Sequence, residues 1–176
     1  MKTLLISLLC CAAAGAYAAP VDDIIVPMSH LDVLKGNRPA GEVRISQSPD
    51  GAVFAAKLNG VAPGSYGFHV HEFPSCEPAL NNKGVLAAGQ AAGGHWDPLK
   101  TGAHKGPFDE GGHLGDLPVL TVAADGSSEA VTAPRIKNIH HLHGHALMIH
   151  EGGDNYSDKP AALGGGGARM ICGVIR

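Results

Sequence analysis

The sequence predicts an all-β domain: an antiparallel, eight-stranded Greek-key barrel or sandwich with two long functional loops. Three observations predict it. No segment beyond the first residues keeps a helical apolar period over several turns. Short apolar runs recur instead between turn pairs such as Asn59-Gly60, Pro63-Gly64 and Asp125-Gly126, the mark of short strands closed by tight turns. Two stretches break that rhythm, Phe73 to Gly115 and Glu151 to Ala168, and long structureless segments inside a compact domain tend to carry function.

Taken in order, residues 1–18 read as a secretory signal peptide. Lys2 gives a positive start, Leu4 to Ala14 is apolar but too short to span a bilayer, and Ala16-Tyr17-Ala18 fits a small-residue cleavage site. Lipidation at Cys10 or Cys11 is the alternative, and the large Leu9 argues against it. Residues 19–176 then form one domain with a core of ordinary size, and no other stretch is apolar enough to cross a membrane.

Strands are expected at Ile24 to Val26 and His30 to Val33, then at Gly41 to Ser46, where Val43 and Ile45 share a face. The turn Ser48-Pro49-Asp50-Gly51 returns the chain into Ala52 to Leu58, and Tyr66 to His71 follows. Leu117 to Ala123 and Ser128 to Val131 form a hairpin candidate, and Ala146 to His150 and Met170 to Ile175 close the set. A formal charge of −3 makes the chain no obvious nucleic-acid binder. Cys76 and Cys172 remain once the signal is gone. An even pair in an exported chain reads as a disulfide; thiolate metal ligation is the alternative, without the C-x-x-C spacing that would favour it.

The histidines carry the functional argument. His95, His104, His113 and Asp116 are spaced 9, 9 and 3 apart in a glycine-rich stretch, three imidazoles and a carboxylate of the kind that suits zinc. His69 and His71 lie two apart on an expected strand, so both rings leave the same face. His150 ends another apolar strand and can meet them across the sheet. Seven side chains with two local geometries are enough for two metals.

Those residues sit in blocks that resemble the bacterial periplasmic copper–zinc superoxide dismutases: Gly67-Phe-His-Val-His71, Gly93-Gly-His-Trp-Asp-Pro98, Gly112-His-Leu-Gly-Asp116, Met148-Ile-His-Glu-Gly-Gly-Asp154 and the run from Gly164 to Ile175. The resemblance spans Gly41 to Ile175 and implies roles by position. Copper would be held by His69, His71, His95 and His150, and zinc by His95, His104, His113 and Asp116, with His95 bridging both. Asp154 would orient one histidine from each site, and Arg169 would guide the anionic substrate, superoxide, to copper. Cys76 and Cys172 would match the family disulfide. The implied reaction converts superoxide to oxygen and hydrogen peroxide by cycling copper between Cu(II) and Cu(I), an antioxidant defence in the bacterial periplasm. A homodimer is also expected.

One stretch departs from the family pattern: His140, His141 and His143 form an extra cluster, either a polar loop or an auxiliary metal or haem contact. Two rival functions are weaker. A catalytically silent copper carrier is expected to lack copper ligands or Arg169, and all are present. A zinc hydrolase needs an open zinc position, which a set of four ligands does not leave.

Overall fold

A computed structural model describes residues 22–176; the expected signal peptide and cleavage point, and Cys10 and Cys11, lie outside the described residues. Eleven strands alternate with loops and three short 3-10 turns: β1 (Ile24–His30), β2 (Arg38–Ser48), β3 (Gly51–Leu58), β4 (Gly64–Tyr66), β5 (Phe68–His71), β6 (Ala79–Leu80), β7 (Leu86–Ala87), β8 (Leu120–Val122), β9 (Val131–Ala133), β10 (His145–His150) and β11 (Arg169–Ile175). The main sheet runs β5-β10-β11-β1-β2-β3-β9, with every pair antiparallel. The sheet curls until its edges meet. β4 continues β5 and pairs with β8, and the turn after β8 reaches β3 through Leu58 N–H to Gly126 O, 2.8 Å, and Ser128 N–H to Ala56 O, 3.0 Å. With β4 and β5 taken as one interrupted strand and the two-residue β6–β7 pair set aside, eight strands form the barrel.

Patterning explains the walls. In β1, Ile24, Val26 and Met28 are buried while Ile25 and Pro27 are exposed, so one face meets the core and one meets water. The β2–β3 hairpin pairs without a break from Ser48–Gly51 to Gly41–Leu58, and Ser48 Oγ accepts the Asp50 N–H to close its turn. Phe54 and Phe68 meet edge to face, 5.6 Å apart, at the centre of the core.

The wall made by β5, β10 and β11 is buried on both sides. Phe68, Val70, Leu147, Ile149 and Ile171 enter the barrel core, whereas Ala146, Met148 and Cys172 pack outward against Ala92 of the long loop. Double coverage is why Ala146 to Ile149 reads as a continuous apolar run. The alternation that sends Phe68 and Val70 inward sends His69 and His71 outward, under the loops.

Several expected elements differ. His30 to Val33 is no separate strand, because β1 runs on to His30 and pairs there with Arg38. Tyr66 to His71 is split at Gly67, and its halves take different partners. The candidate hairpin after Leu117 does turn at Asp125-Gly126 and pairs next to the turn, Val122 opposite Ser128, but its arms then part: β8 joins β4 and β9 joins β3. Phe73 to Gly115 includes the short β6–β7 pair.

Cys76 and Cys172 form a disulfide across 96 residues, tying the first long loop to β11. A closed loop of that length stabilises by about 4–5 kcal/mol in the chain-entropy treatment, with measured values often lower. Replacing both cysteines by serine is expected to lower the thermal midpoint by on the order of 10 °C. An unchanged melt contradicts this.

Candidate metal centre

Seven side chains converge on the outer face of β5: His69, His71, His95, His104, His113, Asp116 and His150, none more than 8 % exposed. Each reaches the site for a local reason. His69 and His71 alternate out of β5, and β10 pairs with β5 so that its end brings His150 beside them. An irregularity after Ile149 places His150 opposite Arg169 on β11.

The long loop closes onto the free edge of β5. Val70 N–H donates to Gly115 O, Trp96 N–H to Val70 O and Gly115 N–H to Trp96 O, all within 2.9 Å. That small ladder sets His95 against His71 and Asp116 against His69. It needs glycine at 115, where a Cβ would stand 2.2 Å from Val70 O. The second loop is held as tightly. At Gly164, φ is +70°, and a Cβ there would lie 1.9 Å from the Asp154 carboxylate.

The nitrogens sort themselves by their hydrogen bonds. His71 Nδ1 faces Gly93 O at 3.0 Å and His150 Nδ1 faces Gly167 O at 3.3 Å; carbonyls only accept, so both Nδ1 atoms carry the proton. Their bare Nε2 atoms then point at each other, 3.4 Å apart. His69 and His104 both donate from Nε2 to Asp154, each at 2.8 Å, which frees both Nδ1 atoms. On the other side, His95 Nδ1 at 2.9 Å, His104 Nδ1 at 3.1 Å and His113 Nδ1 at 3.2 Å converge on one oxygen, Asp116 Oδ1. His69 Nδ1, His95 Nε2 and His104 Nδ1 are buried without a hydrogen-bond partner. Inward-facing lone pairs beside a carboxylate repel one another unless cations stand between them.

Two four-membered groups result, His69, His71, His95 and His150, and His95, His104, His113 and Asp116, each with ligand atoms within 4.8 Å of one another. His95 belongs to both. His69, His104 and Asp154 also cluster, but there both ring nitrogens already donate to the carboxylate, so Asp154 is the hydrogen-bonded link between the two groups. Every sequence-predicted copper and zinc ligand is brought to this region, with Asp154; His140, His141 and His143 belong to none of these groups.

Arg169 donates to Gly89 O at 2.6 Å and to Gly93 O at 2.5 Å, the second being the carbonyl that also orients His71. Burial lowers the guanidinium from its ordinary value, yet a guanidinium stays charged at neutral pH. Sequence reasoning missed two supports. Arg135 donates to the carbonyls of Gly112 and His113, gripping the turn that carries His113 and Asp116. Asp158 accepts the His104 N–H at 2.9 Å and the Leu163 N–H at 3.0 Å, joining the two loops. Neither belongs to a ligand pattern, and only the folded loops bring them into place.

Protonation follows the same geometry. Burial, then the neighbouring His95, pushes His150 down to about 4 and holds His69 and His71 well below the ordinary range. Burial also opposes charge on His104, but the Asp116 and Asp154 carboxylates beside the ring outweigh it and raise it to about 9. The depressed rings are neutral in the folded state and take protons on unfolding below about pH 6.5. Their contribution is therefore full above that pH and is lost as the pH falls through the folded value. His104 has the opposite sign: its contribution is full at low pH and fades towards pH 9. Protein stripped of metal is expected to melt at progressively lower temperature from about pH 6.5 to about pH 4. A flat melting profile across that window contradicts this.

Comparison with known proteins agrees with this geometry. The family profile described as copper/zinc superoxide dismutase matches residues 39–175. A superoxide dismutase [Cu-Zn] of Actinobacillus pleuropneumoniae is 53% identical over 157 residues, covering 89% of this chain and 82% of the relative. The solved Cu/Zn superoxide dismutase from Brucella abortus is 46% identical with a TM-score of 0.83, covering 88% of this chain and 100% of that one. The monomeric copper, zinc superoxide dismutase from Salmonella enterica is 47% identical with a TM-score of 0.76, at the same coverage of both chains.

Proposed function

Since the chain belongs to the copper/zinc superoxide dismutase family and is a copper- and zinc-using oxidoreductase acting on superoxide, we propose that its two metal sites share the imidazole of His95. One observation carries this reading: a single buried ring belongs to both ligand groups, with Nδ1 turned to Asp116 and Nε2 turned, unpartnered, towards the other histidines.

Copper would be held by His69 through Nδ1 and by His71, His95 and His150 through Nε2. Zinc would be held by Nδ1 of His95, His104 and His113 and by Asp116. When bound, copper supplies a one-electron centre that superoxide can both reduce and reoxidise, while zinc has no redox step of its own. The chain's residues supply the rest. Arg169 presents a fixed positive charge to the approaching anion. His95 holds or releases a proton at Nε2, one of the two protons that hydrogen peroxide needs; water supplies the other. Its Nδ1 side and Asp116 keep the ring in place meanwhile. Asp154 fixes His69 and His104 in the tautomers that aim Nδ1 inward.

With residues 1–18 as a signal peptide and 19–176 as the mature domain, the enzyme would be exported to the periplasm as an antioxidant defence. The disulfide supports an oxidising compartment, and among the described residues no helix is long and apolar enough to cross a membrane. The homodimer is supported by one apolar face, where Leu99 and Phe108 are 70% and 71% exposed beside Pro98 and Leu114. Sedimentation at the monomer mass, as the description of the Salmonella enterica relative suggests for that protein, contradicts it. His140, His141 and His143 stand outside the reaction as an auxiliary contact for a metal or haem.

Metal analysis with an activity assay tests the whole reading. The mature protein is expected to carry copper and zinc in equal amounts and to lose superoxide-quenching activity to a copper chelator. Zinc alone, with activity towards esters, contradicts it.

A further inference from the structure

The auxiliary histidines sit on a stiff support. The 3-10 turn Ile139–Leu142 begins at Asn138, whose side chain accepts the His140 N–H at 2.9 Å. Gln47 Oε1 accepts the Ile139 N–H at 3.0 Å, and the His143 N–H closes back on His140 O at 3.3 Å. Ile139 and Leu142 are fully buried in the barrel core, while His140, His141 and His143 are exposed. The turn is thus nailed down by its apolar residues and displays its imidazoles to solvent.

Two of those imidazoles are already arranged as a pair. The rings of His140 and His143 lie 5.8 Å apart and 14° from parallel. The same molecule provides a standard: His71 and His150, which turn their bare Nε2 atoms towards each other in the buried centre, lie 5.6 Å apart and 24° from parallel. The exposed pair reproduces the ring spacing of two side chains in a ligand group. A pinned backbone also lowers the entropy lost when the rings are fixed around an ion.

We propose that His140 and His143 form a surface chelate for a borderline divalent cation, such as Cu(II), Ni(II) or Zn(II), apart from the dismutase centre. Imidazole favours these ions over magnesium or calcium, and water can complete the coordination on an exposed site. The inference deepens the auxiliary-contact reading and assigns the contact to the pair, with a metal ion as its ligand; His141 is outside the stacked pair.

The test titrates the mature enzyme, with copper and zinc already loaded, with Ni(II) at neutral pH by calorimetry. Wild type is expected to take up one further ion. His140→Gln and His143→Gln should each weaken that uptake by about tenfold or more, and the double variant should abolish it, whereas His141→Gln should leave it intact. Since the pair is exposed, all variants should retain superoxide-quenching activity, which reports that they fold. Absence of any uptake by wild type removes the auxiliary metal contact altogether. Uptake that survives the double variant but is lost in His141→Gln overturns the pair while leaving a contact at this turn. Uptake that survives both places the ion on another histidine and overturns the proposal.

Discussion

Replacing His95 with alanine is expected to abolish superoxide-quenching activity and to impair loading of both metals. The ring is buried, and its two nitrogens face different ligand groups. The substitution therefore takes one ligand from each site and leaves His71, His150 and His69 with inward lone pairs, and Asp116 with one fewer partner. Removing only an outer partner of a metal ligand commonly costs about 10–100-fold in affinity, so losing the shared ligand should cost each site at least that much. His113→Ala is the contrast, because His113 belongs to one group only. It should weaken zinc and leave copper bound. Equilibrium dialysis against graded chelators separates the two. Copper retained at wild-type affinity by His95→Ala contradicts the shared ring.

Arg169→Ala is expected to lower kcat/KM for superoxide by about 10–100-fold and to flatten its dependence on ionic strength, as loss of a guiding charge predicts. The same guanidinium grips Gly89 O and Gly93 O, and Gly93 O orients His71, so part of the loss could come from a loosened ligand. Arg169→Lys separates the contributions. Lysine keeps the charge without the planar fork, so it should restore the salt dependence while recovering only part of the rate. Stopped-flow assays across a salt series read both effects. An alanine variant with unchanged rate and unchanged salt response contradicts the assignment.

How much of this was legible in the sequence depended on whether the pattern was local. Period-two alternation is a property of the strand itself, so the shared face of His69 and His71 could be read directly, as could the Ser48 to Gly51 turn. The spacing of His95, His104, His113 and Asp116 pointed to one metal group; the resemblance added that His95 serves two. Non-local choices were not legible. Nothing near Gly67 says that Tyr66 pairs with Leu120 while Phe68 pairs with Ile149. The hairpin after Leu117 pairs only next to its turn, at Val122 and Ser128, because each arm then finds a better-placed neighbour in the closing barrel, which no turn signal can reveal. Arg135 and Asp158 read as ordinary surface charges until the loops fold and bring backbone groups to them. The buried wall under the loops was hidden for a related reason: Ala92 and Cys172 meet only through the tertiary fold.

Anomalous diffraction from crystals of the fully loaded enzyme, measured at the copper and zinc edges, tests the shared imidazole most directly. Both ions should appear, each about 2.0–2.1 Å from an opposite nitrogen of His95, with zinc beside Nδ1 and copper beside Nε2. Ions that lie far apart, or a His95 ring bound to one of them alone in the oxidised enzyme, would contradict it.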